Sequence, residues 1–396
     1  MPATPVVVAD VWVNAGAAQE PPEWIGMAHF LEHMVFKGTE RLLPGMFDHT
    51  IETQGGFSNA ATSHDYAHFY MAVAADVLPT TLPHLADLVL HAAIPADEFV
   101  RERQVVLEEI RQAHDDPDWV GFQALSEQVF PDHAYGRPVL GTAEILAQRS
   151  PEEMRCFHQQ HYQPENMTVV IAGGTPLEPT LDMVRHAFRA FPTPPATTPN
   201  ATSGKIDPWW GVRRQVLRIP QLEHARLTMA WMGPGIDDLD AACGMDIVST
   251  LLAEGRSARL VRELREERQW VLDISSSFSL QRDCSLFTLQ AWLAPDAVDA
   301  VEALICERLS TLAVQAVPPA ELERAKRLLT NDFAFSTETP GQLAGLYGYY
   351  SVVADAADSY TYPDRIRNHT PASIANLVQT YLSTNAYAST VLLPTA

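Results

Sequence analysis

GMAHFLEHMVFKGT, residues 26–39, sets three ionisable side chains, His29, Glu32 and His33, into an otherwise apolar run. A buried helix made for packing alone would carry Leu or Val there. Residues at i and i+4 share one helical face, as do i and i+3, so two imidazoles can point at one metal ion with a carboxylate beside them. Zinc suits two neutral imidazoles and a carboxylate and keeps a fourth position for water. It lowers the pKa of that water to about 7, and an adjacent carboxylate then takes the proton during attack on a carbonyl. The order His-x-x-Glu-His inverts the better-known zinc peptidase motif.

Outward from this stretch, the chain repeats itself. The strand-like VADVWVNAG (8–16) leads into the helix-like GMAHFLEHMVF, and RLTMAWMGPG (226–235) leads into GMDIVSTLLAE (244–254). AHFYMAVAAD (67–76) echoes SLFTLQAWLAPD (285–296), and each precedes a helical stretch. Period-two alternation predicts half-buried antiparallel strands, and spacings of three and four predict the helices between them. The expected fold is α+β: two homologous domains, each an antiparallel sheet packed with helices. Overlaying the halves puts Ile247, Thr250 and Leu251 where the first has His29, Glu32 and His33. The frame therefore does not need the polar groups, and chemistry is the reason for them.

A Pro- and Thr-rich seam at 192–211 has linker chemistry. It separates a zinc-binding, catalytic domain at 1–191 from a metal-free homologous domain at 212–396. The length of 396 residues agrees, since single cores stop growing near about 250–300 residues. No apolar run approaches the roughly 20 residues of a membrane span, so membrane insertion is not expected. The first residues lack the pattern of a secretory signal, which predicts a cytoplasmic protein, or a periplasmic one had a leader been removed. A formal charge of −22 excludes the basic surface that nucleic acid requires. The four cysteines are widely spaced, as packed thiols rather than ligands or bridges.

A third metal ligand is sought in ADEFVRERQVVLEEIRQAHDDP (96–117). At about 100° per residue from Phe99, the apolar face holds Phe99, Val106, Ile110 and Ala113. Glu109, at about 280°, and Glu102, at about 300°, lie on its margin, whereas Glu108, at about 180°, lies opposite. A carboxylate at a buried edge needs a partner, so both marginal glutamates qualify and Glu108 is solvated.

HFLEH, followed by the glutamate of VVLEEI, resembles the pitrilysin or insulinase family of inverzincins, most closely its half-length bacterial members and the mitochondrial processing peptidases. The likeness extends through TQGGFSNAATSHDYAHFY (53–70), RERQVVLEEI (101–110), HQQHYQPENMTVVIAG (158–173) and EGRSARLVRELREERQ (254–269). It implies a LuxS/metallohydrolase-like duplication and a zinc endopeptidase acting on peptides or unfolded segments in an enclosed chamber. Carried over by position, one Zn2+ per chain would be held by His29, His33 and Glu109. Glu32 would be the general base, and Glu102 would orient a ligand. GGFSNAAT (55–62) would be an edge strand onto which the substrate adds, with Gly56, Phe57, Asn59 and Ala60 in contact.

Two positions depart from the family pattern. An additional strand usually precedes the one at 8–16. Active members also use an arginine and, seven positions later, a tyrosine to polarise the substrate carbonyl; here Arg265 is followed by Leu272. Leucine has no hydroxyl, and losing one such donor typically costs about 10²–10³ in rate. The resemblance thus implies the metal-bearing subunit of a heterodimer whose homologous, metal-free partner supplies the Arg–Tyr pair; a homodimer is the other form, and a non-catalytic scaffold or peptide-binding subunit is the alternative function. His49, His64, His68, His84, His91 and His114 lack ligand spacing and are expected as surface or packed residues. FSTETPGQLAGLYGYY (335–350) is assigned structure only, with a proline break.

Overall fold

The computed structural model describes residues 4–194, 206, 209–220 and 222–395. The expected linker at 192–211 lies mostly outside the described residues. The described strands are β1 (Val6–Val13), β2 (Phe57–Thr62), β3 (Ala67–Ala74), β4 (Met167–Gly173), β5 (Gly211–Ile219), β6 (Ala225–Gly233), β7 (Val271–Ser279), β8 (Ser285–Leu293) and β9 (Ala386–Pro394). They form two sheets, ordered β2-β3-β1-β4 and β5-β9-β6-β8-β7.

Alternation decides which face is buried. In β1 the odd positions Val7, Ala9, Val11 and Val13 enter the main core, beside Ala67, Phe69, Met71 and Val73 of β3. The register sets Ala9 against Met71 and Val11 against Phe69. Above that face lie α1 (Met27–Val35), α2 (Met46–Thr53), α3 (Leu78–Leu90) and α4 (Ala96–Asp115). Phe30 of α1 meets Phe99 of α4 with ring centroids 4.6 Å apart. That contact fixes the two helices that carry the candidate ligands.

The second sheet repeats the first: β7-β8-β6-β9 has the order of β2-β3-β1-β4. Its core joins Leu227, Met229 and Trp231 to Ile247, Val248 and Leu251 of the helix Leu239–Ala253. All residues overlaid on the three ionisable groups are buried here. The expectation of purely antiparallel sheets is corrected at one place, because β5 runs parallel to β9. The first sheet has no described strand at the matching position beside β4.

The compact units also cross the halves of the sequence. One comprises 1–112, 137–204 and 336–359, the other 113–136, 205–335 and 360–396. The helix Pro340–Val353 packs on β1 and β4, where Gly348 admits the Trp12 indole that any Cβ would strike. Conversely, α5 (Pro117–Val129) packs on β9 and β6. Each sheet so receives its second cover from the other half of the chain, a division that a cut at the linker alone does not describe.

Candidate metal centre

The first turn of α1 is fixed by two features. Gly26, at φ +93°, turns the chain into the helix where a Cβ would collide with Gly141. Glu20, fully buried, accepts the Gly26 N–H at Oε2 (2.9 Å) and the Ala28 N–H at Oε1 (2.7 Å). These two amides have no partner within α1, so the carboxyl caps the helix from the preceding loop. Burial pushes Glu20 up to about 8, against the pull of those amide bonds and of Arg137.

From this helix His29 and His33 face Glu109 of α4. Glu109 Oε2 lies 3.7 Å from His29 Nε2 and 3.5 Å from His33 Nε2. One ligand atom from each of the three residues falls within 4.8 Å of the others. Zinc–ligand bonds of about 2.0–2.2 Å set tetrahedral ligand atoms roughly 3.4 Å apart, close to the two separations from Glu109, and the chemistry of the set suits that ion. The environment also favours the ligating forms. Burial, with His33 beside it, lowers His29 to about 4 and keeps its imidazole neutral. His29 Nδ1 is buried without a hydrogen-bond partner, which leaves Nε2, turned toward Glu109, as the working nitrogen.

Glu102 stands behind His33. Its Oε1 lies 3.0 Å from His33 Nδ1, and Lys37 Nζ reaches Oε2 at 2.7 Å. Burial alone would raise the Glu102 carboxyl, but bonds to Lys37 and His33 prevail and bring it below the usual range. A carboxylate that accepts from Nδ1 leaves Nε2 free for an ion. Glu32, between the histidines, accepts the Thr62 hydroxyl at 2.5 Å, and burial raises its pKa despite that bond. Glu108 is exposed and paired with Arg111 at 2.6 Å. The cleft over His33, Glu109 and Gln112 measures about 640 Å³.

β2 is an edge strand. Gly56 precedes it where a Cβ would strike the Ala72 carbonyl oxygen, and the exposed Phe57 packs edge-on against Tyr70. The Ala60 N–H is held by the Asn59 side-chain oxygen at 2.9 Å. It therefore points out of the β3 ladder, toward the free edge. Arg265 belongs to the other compact unit, within a π-helical turn at Val261–Glu267, and bonds Glu266 (3.0 Å) and Asp273 (3.2 Å). Leu272, on the edge strand β7, is 57% exposed.

Glu20, Lys37 and Thr62 were not found by sequence reasoning. Lys37 had a signal, one turn after His33 on the same face; Glu20 and Thr62 had none, since their partners are set by tertiary packing. His68, expected as a packed or surface residue, pairs with the buried Asp10 at 3.0 Å and stacks on Trp12. The register that pairs His68 with Trp12 brings Asp10 within reach.

The frame and the group together define a class: a duplicated α+β protein in which one copy gathers two histidines and a glutamate from two helices, and the other fills the same place with apolar residues. The chain belongs to the insulinase family, peptidase family M16. Residues 1–143 match the family described as Insulinase (Peptidase family M16), and residues 149–329 match Peptidase M16 inactive domain. An uncharacterised zinc protease of Mycobacterium tuberculosis is 27% identical over 396 residues, 100% of this chain and 90% of that protein. A zinc protease of Helicobacter pylori is 28% identical over 362 residues, 89% of this chain and 80% of the relative. The crystal structure of a protease from Helicobacter pylori superposes with a TM-score of 0.92 at 25% identity, covering 99% of this chain and 94% of that one. A putative M16-like peptidase from Alicyclobacillus acidocaldarius gives 0.88 at 20% identity, covering 100% and 94%, a likeness of fold. No helix among the described residues is long and apolar enough to cross a membrane.

Proposed function

We propose that the chain is a zinc-dependent endopeptidase acting on peptides or unfolded segments, with one zinc held by His29, His33 and Glu109. The observation that carries this reading is the convergence of those three side chains beside Glu32, on helices whose second copy has none of them. A zinc ion bound there would polarise the scissile carbonyl and acidify the attacking water.

The chain's own residues do the rest. Glu32, held by Thr62 at Oε2, accepts the proton of the attacking water on its other oxygen and passes it to the leaving nitrogen. Glu102 fixes the His33 ring through Nδ1 and shares its charge with Lys37. The free edge of β2 takes an extended peptide by main-chain hydrogen bonds, with Asn59 releasing the Ala60 N–H to the incoming carbonyl. Gly56 and Phe57 flank that track. Specificity for sequence is then low, because the backbone is what is held.

Arg265 and Leu272 bear on assembly. With leucine at the position of the second donor, the carbonyl-polarising pair is incomplete in this chain. We therefore assign it as the metal-bearing subunit of a pair whose homologous, metal-free partner supplies Arg and Tyr. Leu272 is also the observation that favours the second reading, a non-catalytic peptide-binding subunit.

Metal analysis and peptide cleavage separate the two. One zinc per chain is expected in the wild type and in Glu32→Gln, and close to none in His33→Ala or Glu109→Ala. Cleavage should fall by about 10²–10⁴ in Glu32→Gln, the usual contribution of a general base. Zinc bound with no Glu32-dependent cleavage, alone or with a homologous partner, would leave the non-catalytic reading standing.

A further inference from the structure

The second compact unit has a cleft where the first has its metal group. Thr250 overlays Glu32 on the corresponding helix. The counterpart of α4 is the helix Pro319–Phe335. Phe99 and Leu322 are buried near the starts of these two helices, and Glu109 and Asp332 follow them at the same separation of ten residues. Between Leu239–Ala253 and Pro319–Phe335 lies a cavity of about 480 Å³, lined by Asp246, Thr250, Glu254, Leu328, Asp332 and Phe335 among others.

Three observations say what it would hold. Thr250 is only 4% exposed, lines the cavity, and its hydroxyl has no hydrogen-bond partner among the described residues. A hydroxyl placed so can give or accept a hydrogen bond from a polar group that enters the cavity. The three carboxylates do not converge on one point: among the described residues, the only group of His, Cys, Asp and Glu close enough for one ion is His29, His33 and Glu109. A bare metal ion is therefore a poor fit. Lastly, Leu328 and Phe335 are exposed apolar side chains on the same wall. One carboxylate at depth, Asp246, with Glu254, Asp332 and the apolar Leu328 and Phe335 exposed toward the mouth, matches a long side chain with a hydrocarbon stem and a cationic head.

We infer that this cleft binds the lysine or arginine side chain of a polypeptide, the stem against Leu328 and Phe335 and the cation among Asp246, Asp332, Glu254 and the Thr250 hydroxyl. Asp246 agrees with this role. Burial pushes its carboxyl up to about 7, even though the Tyr362 hydroxyl donates to it at 3.0 Å, so an arriving cation would relieve an unfavourable burial. The formal charge of −22 favours the approach of a basic ligand over long range. The inference rests on the peptidase reading only in taking a peptide as the carrier of the side chain.

The test is therefore a binding measurement on the non-cleaving, zinc-loaded Glu32→Gln protein, which needs no activity. Fluorescence anisotropy is followed with labelled peptides of alternating Ala–Lys and, as control, alternating Ala–Gln. The Ala–Lys peptide should bind more tightly, and adding Asp332→Asn with Glu254→Gln should weaken it roughly five- to tenfold while leaving the Ala–Gln peptide and the zinc content unchanged. Both substituted residues are exposed, so the fold tolerates their loss. Equal binding of the two peptides would make the cleft an apolar groove and overturn the inference, as would Ala–Lys binding indifferent to the substitutions. Displacement of the peptide by one calcium ion per chain, abolished by the same substitutions, would make it an ion site instead.

Discussion

On the proposed reading Glu102 holds a ring rather than an ion. Its carboxylate spans His33 Nδ1 and Lys37 Nζ, so Glu102→Gln would leave the three ligands in place and loosen the imidazole that one of them supplies. Zinc affinity is expected to fall by about 10- to 100-fold, measured by competition with a chromophoric chelator, with little change in thermal stability. Helical geometry made Glu102 and Glu109 legible before any coordinates, because both lie on the edge of one apolar face. It did not choose between them. Their placement nearly two turns apart along α4, opposite the two nitrogens of the same imidazole, is what separates the residue that faces Nε2 from the one that faces Nδ1. Thr62 was illegible for a different reason: it meets Glu32 across the junction of a helix and a hairpin, and no local period reports that contact.

At the scale of elements, α1 depends on a cap that is not part of it. Glu20→Gln retains one acceptor but turns an amide N–H₂ toward a backbone N–H, at a cost of about 1–3 kcal/mol. The carboxyl has its pKa raised by burial, to about 8 in the folded protein against 4.5 when free. The folded state then binds the extra proton between those values. Its favourable contribution is complete below about pH 4.5 and is lost as pH rises through 8. Thermal unfolding followed across this range should show the wild type's lead over Glu20→Gln narrowing as pH increases. The edge strand gives a second expectation. The Ala60 N–H points away from β3, so Ala60→Pro should leave melting nearly unchanged yet raise KM for peptides several-fold, by removing a donor from the free edge. The strands themselves were plain in the sequence, since alternation and registers such as Val11 with Phe69 share one cause. The parallel β5–β9 pair was not, because strand direction depends on a crossover that alternation does not encode.

For the whole molecule, the duplication was legible and the exchange of segments was not. The helix Pro340–Val353 and α5 carry no sequence mark of the sheet each will cover; packing such as that of Gly348 against Trp12 decides it. The asymmetry between the halves has its consequence in assembly. With Leu272 in place of a hydroxyl donor, the chain alone should cleave slowly, and Leu272→Tyr should raise kcat by up to about 10² with little effect on zinc binding. A homologous, metal-free partner should do the same for the unaltered chain, which steady-state kinetics on the mixed subunits would show. A fully active homodimer of the unaltered chain would contradict that assignment.

The most direct measurement is cleavage of a mixture of unstructured peptides by the zinc-loaded chain, read by mass spectrometry beside a Glu32→Gln control with matched zinc content. Cleavage at many sites in the wild type and its loss in the control, with one zinc bound in both, is the predicted result. Equal cleavage by both proteins would contradict the account, because the proton would then be moving through some other group.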